Sequence, residues 1–410
     1  MHLPMKDVRI LDVAQFTFVP AAAGVLADWG ADVIKVEHAV TGDAQRGLVR
    51  LLGLDIGSNG SSFFPIMEGP NRGKRSIGLA LDKPEARPIL EQLVRDSDVF
   101  LTNFLPRARA KLGIDVEDIR KINPDIIYVR GSGFGNKGDE RDKGGYDSTA
   151  FWARGGSGMG VTPPGSDRMM GMPAGAYGDS MGGMTIAGGI AAALFARART
   201  GETSVIDVSL LGVGAWAMQF AVNLALVAQG PLPVVPAPKH GAATNPLSGT
   251  YQTSDGRWLM LTMLQPGRYW PEFCAAVGRP ELASDPRFDD VDKIMANAGE
   301  AAAIVAEILT SRTYTEWIEV FDGVSGQWAA VQDAWEVSQD KSLRANGLIA
   351  QLTDADGVQR ELVANPVQFD ERPTTLTRAP QFAEHTDEIL RELGVSDDEL
   401  LQLKIAGAVT

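Results

Sequence analysis

Apolar and polar residues in the first half of the chain form short blocks that predict strands separated by helices. The segment from Pro20 to Trp29 has a proline near its first turn and a glycine just after its end, which is typical of a helix. Residues 83–96 and 182–199 also predict helices. The predicted strands are 8–13, 32–37, 98–102, 126–130 and 204–209. Strands that alternate with helices indicate a parallel sheet covered on both faces, so this region predicts an α/β fold.

The pattern changes after residue 225. Residues 226–239 are rich in proline and predict an extended linker. Two apolar runs then flank Ser254–Arg257, which is typical of a hairpin, and helical patterns follow. We interpret residues 240–330 as a smaller α+β domain. The region 331–410 carries a second hairpin pattern and two short helices.

Charge and composition exclude several classes of function. The 410-residue chain has a formal net charge of −14, which argues against nucleic acid or an anionic membrane as the main partner. With four histidines, one cysteine (Cys274), no HExxH motif and no cysteine cluster, we expect no metal site. The start of the chain has no run like a signal peptide, and the apolar stretches 184–196 and 210–228 are too short to span a bilayer cleanly. We therefore expect a cytoplasmic protein.

Asp179 is the strongest candidate for chemistry. It lies in Gly178–Gly183, a glycine-rich turn before a long run of small residues. Glycines let the backbone approach a ligand closely, and a helix N-terminus favours negative charge. A carboxylate placed there can act as a nucleophile on an activated acyl group. The alternative is an aspartate that only caps a helix.

Two further motifs leave open whether a ligand binds. Gly133–Gly138 matches GxGxxG after a strand, but a charged loop follows it in place of a helix, and no acidic residue stands about twenty positions on to hold a ribose. We therefore expect no nicotinamide cofactor, although the loop remains a candidate for the edge of a ligand site. The basic run around Lys74 and Arg75 is either a phosphate-binding patch or a solvated loop.

Several segments, taken together and in order, carry a family resemblance. They include Leu26–Glu37, Gly131–Gly135, Gly145–Asp147, Gly178–Asp179 and Val205–Ser209, and they extend over nearly the whole chain. The set resembles the class III CoA-transferases (the CaiB/BaiF family), which include formyl-CoA transferase and carnitine CoA-transferase. The resemblance implies a large Rossmann-like CoA-binding domain, formed by residues 1–225 and 331–410, with the small domain inserted between them. It also implies an interlocked homodimer.

The resemblance also implies a site and a reaction. Asp179 would attack the thioester of an acyl-CoA, and CoA would pass through an aspartyl anhydride and an aspartyl-CoA thioester to a carboxylic acid acceptor. Tyr146 and Asp147 would stand near the thioester. The residues expected to bind CoA, with the basic pair included, are Thr17, Phe18, His38, Lys74, Arg75, Leu79, Asn103, Phe104 and Lys111. His38 stands where the family often has an arginine.

Two other functions remain as alternatives. The α-methylacyl-CoA racemases have the same scaffold, but they carry Gly-His-Asp where this chain has Gly145-Tyr146-Asp147, and tyrosine is a poor base at neutral pH. A CoA-binding protein without turnover is the alternative from another class.

Overall fold

The computed structural model describes residues 3–51, 53–55, 62–232 and 243–410. The chain divides into two compact units. The larger unit comprises Met1–Thr162, Asp167–Leu232 and Lys341–Thr410, and the smaller comprises Pro163–Ser166 and Pro233–Asp340. The assignment of the two units as a CoA-binding domain and an inserted domain stays a prediction.

The predicted linker 226–239 is only partly described. A helix continues to Ala228 at its start, and residues 233–239 lie outside the described residues. The predicted beginning of the linker at residue 226 therefore lies within this helix.

Strands and helices alternate in the larger unit. Its strands are β1 (Arg9–Val13), β2 (Asp32–Glu37), β3 (Arg50–Leu51), β4 (Leu54–Asp55), β5 (Arg75–Gly78), β6 (Val99–Thr102), β7 (Ile127–Ser132) and β8 (Val205–Ser209), with the hairpin β12 (Ile349–Thr353) and β13 (Gln359–Val363). Its α-helices are α1 (Phe18–Asp28), α2 (Pro65–Asn71), α3 (Arg87–Arg95), α4 (Pro106–Leu112), α5 (Val116–Ile122), α6 (Ser157–Gly160), α7 (Tyr177–Thr200), α8 (Leu210–Ala217), α9 (Gln219–Ala228), α15 (Lys341–Ala345), α16 (Thr386–Glu392) and α17 (Asp397–Ile405).

Six of these strands form one parallel sheet in the order β5-β2-β1-β6-β7-β8. The order reverses between β1 and β6, as it does in doubly wound sheets. Buried apolar side chains from the strands and the surrounding helices form one core cluster on each face of the sheet. The prediction of an α/β fold with a parallel sheet is confirmed.

The smaller unit has its own apolar core. Three antiparallel strands, β9 (Ser248–Gln252), β10 (Trp258–Thr262) and β11 (Trp328–Ala330), pair in the order β11-β10-β9. The helices are α10 (Pro266–Ala276), α11 (Val291–Ala296), α12 (Ala298–Leu309), α13 (Tyr314–Phe321) and α14 (Ala334–Gln339). Aromatic rings such as Trp270 and Trp317 fill the core.

Helix α7 begins earlier than its sequence predicts. Three glycines, Gly178, Gly182 and Gly183, lie inside its first two turns, where glycine is a poor helix former. Close packing explains them. A Cβ at Gly178 would lie 2.3 Å from the ring of Phe151, and a Cβ at Gly182 would lie 2.2 Å from the ring of Phe18. Asp179 is consequently part of the first helical turn and does not precede it.

We expect the substitution Gly182→Ala to lower the free energy of unfolding by about 1–3 kcal/mol, because the new methyl group overpacks the contact with Phe18. Gly188→Ala is the matched control on the same helix. Apart from the adjacent residues and the nearby backbone of α7 itself, no described atom lies within 4 Å of the point that a Cβ on Gly188 would occupy, so this change should stabilise the helix by up to about 1 kcal/mol. Urea denaturation of both variants measures the difference. Equal effects at the two positions would contradict the packing argument.

Among the described residues, α7 is long and apolar enough to span a bilayer, with a mean hydropathy of 1.3 over its most apolar window. The pair α8 and α9, which is bent by 76°, meets the same test only if the two helices are taken as one span. An apolar helix of a protein core meets the same criteria. The close packing of α7 on α1 through its glycines favours a core helix.

Candidate active site

A cavity of about 360 Å³ lies at the point where the strand order of the sheet reverses. Ligands of doubly wound sheets bind at this point, outside the carboxyl ends of the strands. Phe16 and Phe18 follow β1 and line the cavity, and Asn103 and Phe104 follow β6 and line it as well. Asp179 also lines the cavity, which brings the first turn of α7 to the same place.

Asp179 is in an environment that disfavours its charged form. Burial, followed by the nearby Asp147 carboxylate, raises the pKa of Asp179 to about 7. Its position in the first turn of a helix favours the anion, but the helix dipole is outweighed here. A partly desolvated carboxylate beside a cavity is suited to nucleophilic attack because little water must leave it before reaction.

Asp147 contacts the start of α7. Its carboxylate is buried, and it interacts with the backbone N–H groups of Ser148, Gly178 and Tyr177. Burial raises the pKa of Asp147, and these N–H groups oppose part of that rise. Asp147 is not among the residues that line the cavity. The geometry therefore gives it contact with the helix that carries Asp179. Its place near the thioester, which the family resemblance implies, stays a prediction.

We expect kcat/KM for an acyl-CoA to increase with pH and to level off above an apparent pKa near 7, because only ionised Asp179 is nucleophilic. Asp147→Asn should move this pKa to a lower value, since it removes a negative charge and keeps an oxygen that can accept from Gly178. Rates measured from pH 5 to 9 test both expectations. An unchanged profile in Asp147→Asn would show that Asp147 does not influence the ionisation of Asp179.

A second cavity of about 200 Å³ brings His38, Leu79 and Phe104 together. His38 Nδ1 accepts from the backbone N–H groups of Val40 (3.2 Å) and Thr41 (3.3 Å), which leaves Nε2 as the other polar atom of the ring. Phe104 lines both cavities, as does Gln15. The two cavities are therefore adjacent, and five of the predicted site residues line the first one: Phe18, Asn103, Phe104, Tyr146 and Asp179.

Lys74 and Arg75 line neither cavity and have partners within the fold. The side chain of Lys74 is fully buried, and its Nζ lies 2.6 Å from the Asp12 carboxylate. Arg75 pairs with Asp32 at 3.0 Å and with Glu392 at 2.8 Å. The basic run is thus neither a solvated loop nor an open phosphate patch in this structure. Lys74 is buried and Arg75 is partly exposed, and both pair with carboxylates of distant segments, which the local sequence does not reveal.

Thr17 and Lys111 also lie outside both cavities. The hydroxyl of Thr17 donates to the side chain of Gln45 at 3.0 Å, and Lys111 is exposed on α4. Their contact with CoA stays a prediction.

The sequence did not single out several residues that line the larger cavity, among them Gln15, Phe16, Arg109 and Arg141. The first two follow the carboxyl end of β1, a position that could have identified them. Arg109 is buried and donates to the Phe104 carbonyl oxygen, so it supports the cavity wall. Arg141 belongs to the charged loop that follows Gly133–Gly138.

The loop from Gly133 to Gly145, which contains the GxGxxG motif, is closed at its base. A Cβ on Gly133 would lie 2.7 Å from Gly145 Cα, so the two backbones meet where only glycine fits. This close approach accounts for Gly133 without a dinucleotide. The loop between these glycines contributes Asn136 and Arg141 to the cavity.

Comparisons with known proteins show the family of the chain. The model of CoA-transferase family III matches residues 5–386. The chain is 29% identical to (R)-2-hydroxy-4-methylpentanoate CoA-transferase of Clostridioides difficile, over 98% of each chain. It is also 29% identical to cinnamoyl-CoA:phenyllactate CoA-transferase of Clostridium sporogenes, over 97% of this chain and 95% of that one.

Among solved structures, a CAIB/BAIF family protein from Brucella suis superimposes with a TM-score of 0.78 and 25% identity, over 96% of this chain and 100% of that one. The family match covers nearly the whole chain, and the fold is consistent with it. This chain belongs to CoA-transferase family III.

Proposed function

We propose that the protein transfers CoA from an acyl-CoA to a carboxylic acid through covalent intermediates on Asp179. The observation that carries the proposal is the position of this carboxylate, which lines a cavity at the reversal of the strand order and has a pKa of about 7. At neutral pH a large fraction of Asp179 is therefore ionised and only partly hydrated.

The proposed reaction has four steps. The Asp179 carboxylate attacks the thioester carbonyl of the donor and expels CoA thiolate, which gives a mixed anhydride. The thiolate then attacks the aspartyl carbonyl and expels the donor carboxylate, which leaves an aspartyl-CoA thioester. The acceptor carboxylate attacks this thioester and releases the thiolate again as a second anhydride forms. Attack of the thiolate on the acceptor carbonyl yields the new acyl-CoA and restores Asp179.

The adjacent cavities suit a long substrate. In this proposal the thioester end of acyl-CoA occupies the cavity with Asp179 and Tyr146, and the nucleotide end reaches the cavity with His38 and Leu79. Asp147 acts as a positioning residue, because it contacts the helical turn that carries Asp179. The names of the two relatives favour transfer over racemisation, but the acids in those names differ and do not select a substrate.

Peptide mass spectrometry tests the proposal. The wild-type protein and Asp179→Ala would be incubated with a panel of acyl-CoAs, and hydroxylamine would trap activated carboxyl groups. We expect a CoA or hydroxamate adduct on the Asp179 peptide of the wild type alone. Proton exchange at the α-carbon without an adduct would indicate the racemase. Binding of CoA with neither signal would indicate a protein without turnover.

We also propose a homodimer. Along Gln219–Ala228 no side chain is buried, and Phe220 and Val227 are 79% and 84% exposed, next to Trp216 at 70%. An exposed apolar surface of this kind is typical of an interface. Light scattering should give twice the chain mass of 43.8 kDa without added detergent. A monomer that binds vesicles would instead indicate that the surface contacts a bilayer.

A further inference from the structure

Phe16 has a backbone conformation that is costly for a residue with a side chain. Its φ is +63°, in the left-handed region that favours glycine. Such residues persist only where the surrounding structure holds them, and they occur often at functional sites. Phe16 lines the cavity that contains Asp179.

Three polar contacts hold this segment. The backbone N–H of Phe16 donates to Asp43 Oδ1 at 3.1 Å. Asp43 is itself fixed by the fully buried Lys35, whose Nζ lies 2.8 Å from Asp43 Oδ2. On the other side, Asn103 clamps Gln15, since its Oδ1 accepts from the Gln15 N–H at 3.0 Å and its Nδ2 donates to the Gln15 carbonyl oxygen at 2.6 Å.

The clamp sets the ring of Phe16 against that of Tyr146. The ring centroids are 5.8 Å apart, and the planes are nearly perpendicular at 85°. Tyr146 remains 63% exposed, so the pair has ring surface that the described part of the protein does not cover. Both rings belong to residues that line the cavity with Asp179, and the acyl group of a donor must lie near that carboxylate when it is attacked.

We infer that Phe16 determines the specificity for the acyl group, and that the fixed Phe16–Tyr146 pair is a binding surface for an acyl group that carries an aromatic ring. This inference rests on the proposed CoA transfer. Edge-to-face contact between aromatic rings contributes binding free energy beyond that of the area buried. A rigid pair of rings should therefore bind an acyl group with an aromatic ring more tightly than one without. The strained backbone keeps the wall in place before the substrate arrives, which reduces the ordering that binding requires.

Isotope exchange tests the inference without knowledge of the natural acceptor. A ¹³C-labelled acid is mixed with its own CoA thioester, and incorporation of label into the thioester is followed by mass spectrometry. The donors are 3-phenylpropanoyl-CoA and propanoyl-CoA, which differ only in the phenyl ring. We expect the wild type to favour the phenyl donor in kcat/KM, and Phe16→Leu to reduce that preference at least about tenfold, mainly through KM of the phenyl donor.

Two further variants make the test specific. Phe16→Gly removes the ring and relieves the backbone, because glycine adopts positive φ readily. It should lose the preference as Phe16→Leu does, even if the leucine variant folds poorly. Phe134→Leu makes the same chemical change at a nearby ring that does not line the cavity, and it should keep the wild-type preference.

The possible failures are distinct. Exchange by Phe16→Gly with an unchanged preference would overturn the specificity role of Phe16. A wild type that prefers propanoyl-CoA would overturn the inference that the Phe16–Tyr146 pair binds an aromatic ring. If the wild type exchanges neither donor nor any other acyl-CoA of the panel, CoA transfer itself is wrong, and the inference falls with it.

Discussion

Asp179→Asn should reduce the exchange of labelled acid into its CoA thioester by roughly 10⁴-fold or more, because an amide of the same shape cannot form the anhydride. The substitution keeps the size of the side chain beside Asp147 and removes only its nucleophilic oxygen anion. Rates should be measured with a donor that the wild type accepts, and unfolding by urea should show that the variant is folded.

Two controls separate chemistry from binding. Asp179→Asn should bind CoA about as well as the wild type, since Asp179 lines the cavity assigned to the thioester and not the one next to His38. Slow deamidation of the new asparagine would restore activity over time, so freshly prepared protein is needed. Exchange at the wild-type rate in a sample shown to retain asparagine would rule out Asp179 as the nucleophile.

Lys74→Met should lower the free energy of unfolding by about 3–5 kcal/mol, which is the usual cost of leaving one member of a buried ion pair without its partner. Lys74 Nζ lies 2.6 Å from Asp12, both side chains are fully buried, and the same amine donates to the Pro20 carbonyl oxygen at 2.9 Å. Burial lowers the pKa of Lys74 to about 8, so the desolvation of its charge already costs free energy in the native protein. Denaturation in urea at pH 7 measures the loss.

The double variant Asp12→Leu with Lys74→Met is the control. Because it removes both charges, it should recover much of the stability that the single variant loses. The same proteins also test whether Lys74 contacts CoA, as the sequence suggested. A structural role leaves KM for acyl-CoA unchanged wherever the variant is folded. An increase in KM without a loss of stability would restore the CoA-binding role.

The fold could be predicted where local pattern and tertiary structure agree. The strand at Asp32–Glu37 was predicted with its observed bounds, because an acidic residue stands at each end of a short, mostly apolar run. The predicted start of α7 was wrong because glycines such as Gly178 and Gly182 are poor helix formers. Only their close contacts, with the ring of Phe151 and the ring of Phe18 respectively, explain why the helix contains them.

The site could be predicted only in part for the same reason. Family motifs pointed to Tyr146 and Asp179, and the structure brings both to one cavity. Whether a charged residue faces solvent or a buried partner depends on contacts between distant segments, so the role of Lys74 was not visible. The backbone conformation of Phe16 is equally hidden, since its sequence gives no sign of positive φ.

The meeting of Gly133 with Gly145 has a consequence for the design of new specificities. Because the backbone leaves and re-enters the fold at almost the same point, we expect residues 135–144 to be exchangeable as a cassette, provided that Phe134, which packs against the core, is kept. A library of loops grafted between these two glycines would vary the rim of the cavity, where Asn136 and Arg141 now lie, while the turn that carries Asp179 stays as it is.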